Sequence, residues 1–395
     1  MTHITIKNIG PIKDVSFDLN KINVFMGPQS SGKSTIAKIV SYCSWYEKNA
    51  ILHASNRPNF LQELMDFHNL EETYFSDASE ILYESAICKL CFKWKDGSQN
   101  KVDFQLKEGL VFKNRKISYI PAERNFVTLQ GLGKYNETRD NILSFMYDWF
   151  LAKKELTQDN SYPMPLAGLG NVSYYYDKET DADKVAIDSE HNIRLNHASS
   201  GLRSCIPMLI VFNYVIMSIY KTKRAKTPFE IMDFEEKMQF ITSKSHEVSE
   251  EQMANILGYY SDYFYSQVII EEPELNLFPK TQQELIYYML EILNKEEKDH
   301  QLILTTHSPF ILFAINNCMM GGLVRNSMPH DEAKIIPSYP AWIDPSEVSI
   351  YEIHDGRIKS IQDEDGIIED SYLNQAYKEN SAEYLSMLNY FDDEE

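Results

Sequence analysis

The chain has 395 residues, a formal net charge of −20 at pH 7, and hydrophobic residues at 43% of its positions. That is ample apolar sequence for a core, and the length predicts two or three domain-sized units. So acidic a chain is repelled by nucleic-acid phosphates and by anionic membranes, which disfavours general binding to either without a local basic patch. The five cysteines are too few for a disulfide scaffold, and no secretory signal opens the chain, so we expect a cytoplasmic location.

Apolar alternation predicts a strand-rich start followed by a helix. The three strands are HITIKNIG, DVSFDL and KINVFMG, and the helix is KSTIAKIVSYCSWYEKN. Further strands are predicted at YESAICKLCFKW, KVDFQLK and RKISYIPAE.

The middle of the chain is predicted to be mostly helical. A helix is expected over RDNILSFMYDWFLAKKEL, followed by a polar, strand-like stretch that ends at IRLN. The stretch CIPMLIVFNYVIMSIY contains Pro207 and Asn213 and is short for a membrane span, so it predicts a buried helix. A charged insertion follows, and its helix starts are marked by Thr227 and Ser249.

The last third alternates strands and helices, as α/β proteins do. The strand QVIIEEPE precedes the helix KTQQELIYYMLEILNK, and the strand QLILTTHS precedes a helix that begins at Pro309. A hairpin, VSIYEIHDGRIKSIQ, is predicted to turn at Asp355 and Gly356, and an acidic helical tail ends the sequence.

A phosphate-binding loop is predicted at GPQSSGKST, which matches the pattern G-x-x-x-x-G-K-[ST] between a strand and a helix. Its backbone N–H groups and the helix N-terminus would cradle nucleotide phosphates. Lys33 would reach the β and γ phosphates, and the Ser34 hydroxyl would bind Mg²⁺. The predicted nucleotide contacts are Gly27, Gln29, Ser30, Ser31, Gly32, Lys33, Ser34 and Thr35.

Two strand ends supply the residues that such a loop needs for hydrolysis. Glu271 and Glu272 end the strand VIIEE, where alternation points them to opposite sides. We assign Glu271 to the metal and Glu272 to the attacking water, as general base or orienting group. His307 follows another strand and would bond the γ-phosphate or that water, because ligands sit at strand carboxyl ends in open α/β sheets.

The stretch HASSGLRS places two serines and a glycine directly before the long apolar helix. Serine is a helix cap, and glycine permits close backbone approach, so the pattern fits either an ordinary helix start or a helix end aimed at an anion.

These segments, in this order, resemble an ABC-type ATPase head of the OLD, RecF and SMC group. The resemblance rests on GPQSSGKST, ASSGLRS, VIIEEPELNLFP and ILTTHSPFIL, and YIPAERN is also similar to that group. It implies an α/β P-loop NTPase with an antiparallel β subdomain and an inserted helical signature lobe. The expected division is 1–135 and 264–362 for the ATP-binding core, 136–263 for the lobe, and 363–395 for the acidic tail.

The resemblance also implies how the signature segment works. In such heads it caps the γ-phosphate of ATP bound to a second subunit, so Ser199, Ser200 and Gly201 would contact the partner's ATP. A homodimer with two ATP molecules between the heads is therefore expected, either alone or within a larger assembly.

Several positions depart from the family pattern. Ser200 stands where transporters have glycine, Glu271 replaces the more usual aspartate, and Asn276 stands where relatives often have histidine. The extra methylene of Glu271 would shift the metal or slow turnover. The Q-loop residue stays open among Gln130, Glu123 and Arg124.

The motifs predict ATP hydrolysis but not its purpose. The leading hypothesis is a stand-alone ATPase switch that holds or releases an effector protein, as ATPases of bacterial anti-phage systems do. The alternative is a RecF-like DNA-maintenance ATPase that clamps DNA through a basic patch such as Lys221–Lys226. A scaffold that binds nucleotide with negligible turnover is the third possibility.

Overall fold

The computed structural model describes residues 2–52, 59–94, 101–107, 113–128, 141–220, 262–368 and 372–388. The predicted helix starts at Thr227 and Ser249, the basic segment 221–226 and Gln130 lie outside the described residues.

The strands and helices follow the predicted α/β order. The strands are β1 (Thr2–Ile9), β2 (Ile12–Leu19), β3 (Ile22–Met26), β4 (Glu80–Glu84), β5 (Cys88–Lys93), β6 (Lys101–Leu106), β7 (Arg115–Ile120), β8 (Tyr162–Pro163), β9 (Ser173–Asp177), β10 (Ala182–Ala186), β11 (Asn192–Arg194), β12 (Tyr265–Glu271), β13 (Gln301–Thr306), β14 (Val348–His354) and β15 (Arg357–Ser360). The helices are α1 (Lys33–Leu52), α2 (Phe60–His68), α3 (Asn141–Lys153), α4 (Ser200–Ile216), α5 (Pro279–Lys295), α6 (Pro309–Val324), α7 (His330–Ala333) and α8 (Tyr372–Leu388).

Within the described ranges, one large sheet runs in the order β6-β5-β4-β1-β2-β15-β14-β3-β13-β12-β7. Strands β14, β3, β13, β12 and β7 are mutually parallel, whereas β1, β2, β4, β5 and β6 form an antiparallel wing. The carboxyl ends of the parallel strands therefore lie along one edge, where ligands bind in α/β sheets.

Side-chain alternation gives the sheet a core on each face. Val268 and Ile270 of β12 pack in one apolar cluster with α4, α5 and α6. Ile269 packs in the other with α1 and α2. A strand that is buried on both faces has a continuous run of apolar residues in its sequence. The run Val268, Ile269 and Ile270 therefore predicted a core strand.

The edge strand β7 anchors a helix on each face through consecutive buried cations. Arg115 bonds Glu47 of α1 at 2.6 Å, and Lys116 bonds Asp148 of α3 at 2.6 Å. Ser118 also donates to Asp148, at 2.8 Å. Because each charge is buried with its partner, removal of one partner would leave an uncompensated ion.

Two local predictions needed correction or extension. The predicted strand YESAICKLCFKW is the end of β4 and all of β5, which pair as an antiparallel hairpin. The predicted helical lobe also contains a four-stranded antiparallel sheet, in the order β11-β10-β9-β8, between α3 and α4.

Two other predictions are confirmed. Asp355 and Gly356 both have positive φ, 49° and 71°, as a tight hairpin turn requires, and they join β14 to β15. The apolar stretch forms α4, which is a core helix. Residues Ser200–Tyr220 are long and apolar enough to cross a membrane, but 72% of their most apolar 18-residue window is buried within the protein.

His300, just before β13, makes the fold sensitive to mild acid. It is buried, its Nδ1 accepts a hydrogen bond from the Ser266 N–H at 3.0 Å, and burial lowers its pKa to about 4. Since the folded pKa lies below the unfolded one, its contribution to stability is complete above pH 6.5 and is lost as the pH falls towards 4.

We therefore expect wild type to lose about 1–2 kcal/mol of unfolding free energy between pH 7 and pH 5 through this group. His300→Asn, which keeps an acceptor but cannot titrate, should lose less over that interval. Urea denaturation at the two pH values measures the difference. His330→Asn is the control, because His330 is exposed. If both variants lose the same unfolding free energy between pH 7 and pH 5, His300 is not the group responsible.

Candidate nucleotide and hydrolysis site

The P-loop links the end of β3 to α1 through a strained, tightly packed turn. Gly27 and Ser30 have positive φ values of 151° and 61°. A side chain at Gly27 would collide with the carbonyl of Ile353, so only glycine fits there. Gln29 and Ser30 are exposed, whereas Gly32, Lys33 and Thr35 are buried at the start of α1.

Lys33 and Ser31 carry the donors expected of a phosphate site. Lys33 Nζ donates to the carbonyls of Gly27 and Pro28 at 2.9 and 2.8 Å. Burial lowers the pKa of Lys33, and the nearby carboxylates of Glu272 and Glu274 oppose that effect. The buried Ser31 hydroxyl oxygen has no hydrogen-bond partner among the described residues. This donor set fits an anionic ligand, which would offer oxygens to the ammonium and the loop amides.

Glu271 lies at the end of β12, on the side of the sheet that faces α1. Its carboxylate is buried and accepts a hydrogen bond from the Tyr119 hydroxyl. Burial raises the pKa of Glu271, while the charge of Lys38 in α1 lowers it. Among the described residues no three His, Cys, Asp or Glu side chains form a metal cage. A carboxylate and the Ser34 hydroxyl nevertheless fit Mg²⁺, which in NTP sites takes its other oxygens from phosphates and water.

Glu272 lies just beyond β12, close enough to Lys33 of the P-loop for its negative charge to act on that ammonium. Its φ is 44°, and its N–H donates to the Thr305 carbonyl at 2.9 Å. A non-glycine residue at positive φ costs free energy, so the fold holds this carboxylate against a local preference. Its Oε1 lies 3.7 Å from His307 Nδ1. The structure thus brings the two predicted catalytic residues together.

Glu274 is a site residue that the sequence analysis missed. It accepts hydrogen bonds from the Thr306 hydroxyl at 2.7 Å and from the His307 N–H at 2.9 Å. Its Oε1 is also 3.7 Å from His307 Nδ1, and its Oε2 is buried without a partner in the described chain. The sequence feature that could have indicated this role is the third glutamate of EEPE, two residues after Glu272. Glu274 fixes the loop after β12 to the end of β13.

The signature segment forms the exposed start of α4. Ser199 is the N-cap, and its hydroxyl accepts a bond from the Leu202 N–H at 3.4 Å. Ser199 and Ser200 are exposed, which leaves the helix N-terminus open to an anion. Gly201 is buried, and a Cβ there would lie 3.0 Å from the Asn276 carbonyl. The close approach at Gly201 is therefore to this chain's own loop.

Of the three Q-loop candidates, Arg124 has a defined structural role. It is fully buried after β7 and donates to the backbone around Glu271 and Glu272. Glu123 lies beside it, and Gln130 is outside the described residues.

The chain is similar to several known proteins. Residues 261–312 match the family model of the AAA ATPase domain, which here includes β12, α5, β13 and the start of α6. The Septu protein PtuA of Bacillus thuringiensis is 24% identical over 353 residues, which span 81% of this chain and 75% of PtuA.

Two solved structures are also similar. The SMC head domain from Thermotoga maritima has 9% identity and a TM-score of 0.40, and the match covers 92% of this chain and 98% of that one. The recombination mediator protein RecF has 10% identity and a TM-score of 0.34, with 91% and 97% covered. The segment that matches the AAA ATPase domain contains Glu271, Glu272 and His307, and the chain is similar to PtuA over most of its length.

Proposed function

We propose that the chain hydrolyses ATP with Mg²⁺, pairs with a second copy around two ATP molecules, and thereby regulates an effector protein in bacterial anti-phage defence. The observation that carries the ATPase part is the 3.7 Å separation between Glu272 and His307 at the sheet edge that also holds the P-loop. A carboxylate and an imidazole at that place are the groups that would orient water towards a γ-phosphate.

Nucleotide binding is assigned to the P-loop residues and Lys33. The loop amides and the lysine would exchange their internal partners, including the carbonyls of Gly27 and Pro28, for phosphate oxygens. Ser34 and Glu271 would hold Mg²⁺, which neutralises charge on the transferred phosphoryl group. To serve as a ligand, Glu271 would loosen its bond from Tyr119, so Tyr119 controls how readily the carboxylate is available.

Hydrolysis is assigned to Glu272 and His307. Glu272 would accept the proton of the attacking water or hold that water in line. His307 would donate to the γ-phosphate or the same water. Glu274 holds the His307 backbone N–H, so it would fix the histidine rather than touch the reacting atoms.

Pairing is supported by the exposed signature serines and by the resemblance to ABC-type heads. Ser199 and Ser200 present a helix N-terminus at the surface, where a second copy's γ-phosphate could reach it. ATP would then be the shared element of the interface. Loss of the γ-phosphate would loosen the pair, which makes the assembly a nucleotide-controlled switch.

Regulation of an effector in defence is supported by the similarity to the Septu protein PtuA. The net charge of −20 favours a protein partner over nucleic acid. The DNA-maintenance alternative depends on residues 221–226, which lie outside the described part of the chain.

An affinity capture from the native host tests the effector. Glu272→Gln is the bait, with ATP and Mg²⁺ kept present, because this variant should hold the closed state. Lys33→Ala is the control, because it should not bind ATP. We expect a stoichiometric protein that the control lacks, identified by mass spectrometry. Nuclease-sensitive nucleic acid without such a protein would overturn the effector proposal and favour the DNA clamp.

A further inference from the structure

Arg124 joins three segments that are far apart in sequence. Its Nε donates to the Ser204 carbonyl in α4 at 3.1 Å. Nη1 donates to the carbonyl of Glu271 at 2.8 Å, and Nη2 donates to the carbonyl of Glu272 at 2.9 Å. Longer bonds reach Pro121 and Pro273, at 3.3 and 3.4 Å. One side chain thus connects the end of β7, the carboxylate strand end and the signature helix.

The bonding pattern requires a guanidinium. Arg124 is fully buried, and every hydrogen bond described for it goes to a backbone carbonyl. Burial lowers its pKa to about 10, so it stays charged at neutral pH, and the nearby carboxylates of Glu271, Glu272 and Glu274 support that charge. The planar guanidinium can donate hydrogen bonds to carbonyls of α4 and of the strand end at the same time, whereas a lysine ammonium cannot reach both.

Two further features make this junction suited to transmit movement. Gly201 packs against the Asn276 carbonyl, which is a second contact between α4 and the loop after β12. Pro207 lies inside α4 and has no N–H to donate to the Arg203 carbonyl. The first turn of α4 therefore lacks one hydrogen bond to the rest of the helix. The missing bond lies next to Ser204, whose carbonyl accepts the bond from Arg124.

We infer that Arg124 is a positioning residue that couples the two ATP sites of the pair. The inference rests on the proposed pairing. In one chain, Glu272 belongs to the chain's own ATP site, and the start of α4 serves the partner's site. A shift of the Glu272 backbone when the γ-phosphate leaves would pass through Arg124 to Ser204, and so to the serines that cap the other nucleotide.

The test compares Arg124→Lys with Arg115→Lys. Arg115 is also buried and bonds Ser44, Glu47 and Tyr83 away from the site, so its variant controls for loss of a buried guanidinium. We expect wild type to hydrolyse ATP with a Hill coefficient clearly above 1. Arg124→Lys should bind ATP within about threefold of wild type, turn over at least about tenfold more slowly and have a Hill coefficient near 1. Arg115→Lys should keep the wild-type kcat and Hill coefficient, even where its Tm falls.

The outcomes separate coupling from the proposed function. A wild-type chain that does not hydrolyse ATP overturns the proposed function itself. A wild type that hydrolyses ATP without cooperativity, or an Arg124→Lys chain with unchanged cooperativity, overturns the coupling alone. If Arg124→Lys does not fold, Gly201→Ala replaces it, because a methyl group against Asn276 disturbs the same junction. That variant should also lower the Hill coefficient, and an unchanged value would overturn the inference.

Discussion

A Glu272→Gln chain is expected to hydrolyse ATP at least about 100-fold more slowly than wild type while it still binds ATP. Glutamine keeps the shape of the side chain but cannot accept a proton from water. The Lys33 and P-loop contacts with phosphate are untouched, so affinity should be retained. The variant should also accumulate as an ATP-bound pair, because the pair is proposed to open after hydrolysis and this variant hydrolyses ATP very slowly.

Phosphate release measures the rate, and fluorescent nucleotide titration measures the affinity. Glu291→Gln is the matched control, since Glu291 is on α5 and pairs only with Lys295 at the surface among the described residues. Its rate should equal that of wild type. Unchanged hydrolysis by Glu272→Gln would remove the assigned role and support a nucleotide-binding scaffold instead.

Two inactive variants are expected to restore activity when they are mixed. Lys33→Ala cannot hold ATP, and Ser199→Arg cannot cap the partner's γ-phosphate, so each alone should lose at least about 100-fold in rate. A mixed pair has one site with an intact P-loop from one chain and an intact signature segment from the other. In an equal mixture the rate should rise above that of either variant alone, to at most about a quarter of wild type, because about half of the pairs are mixed and each has one working site.

The control for mixing uses a double variant, Lys33→Ala with Ser199→Arg. Mixed with Lys33→Ala, it offers no pair with an intact site, so no activity should return. Phosphate release after incubation with ATP measures both mixtures. If the first mixture stays as inactive as its components, each site is complete within one chain, and the shared site is wrong.

Much of the candidate ATP site could be predicted because its parts are local. The P-loop is one continuous segment, and the strand context of Glu272 and His307 shows in the apolar runs before them. The hairpin at Asp355 and Gly356 was equally local, since its turn chemistry lies in two residues.

What the sequence could not show depends on contacts between distant segments. Arg124 and Glu272 are separated by 148 positions, and Tyr119 and Glu271 by 152, so their bonds exist only after β7 and β12 pair. Glu274 was visible as a residue but not as a partner of His307. The positive φ of Glu272 could not be predicted, because a glutamate in the sequence does not indicate that conformation, whereas a glycine often does. The expected domain limits, 1–135, 136–263, 264–362 and 363–395, stay predictions.

In the proposed function, ATP itself joins two copies of this chain. The most direct measurement is the molar mass of Glu272→Gln in solution by light scattering, with and without ATP and Mg²⁺. We expect the mass of Glu272→Gln to double with ATP and Mg²⁺ and the mass of Lys33→Ala to stay unchanged under the same conditions. A mass of Glu272→Gln that does not respond to ATP, in a chain shown to bind it, would contradict ATP-dependent pairing.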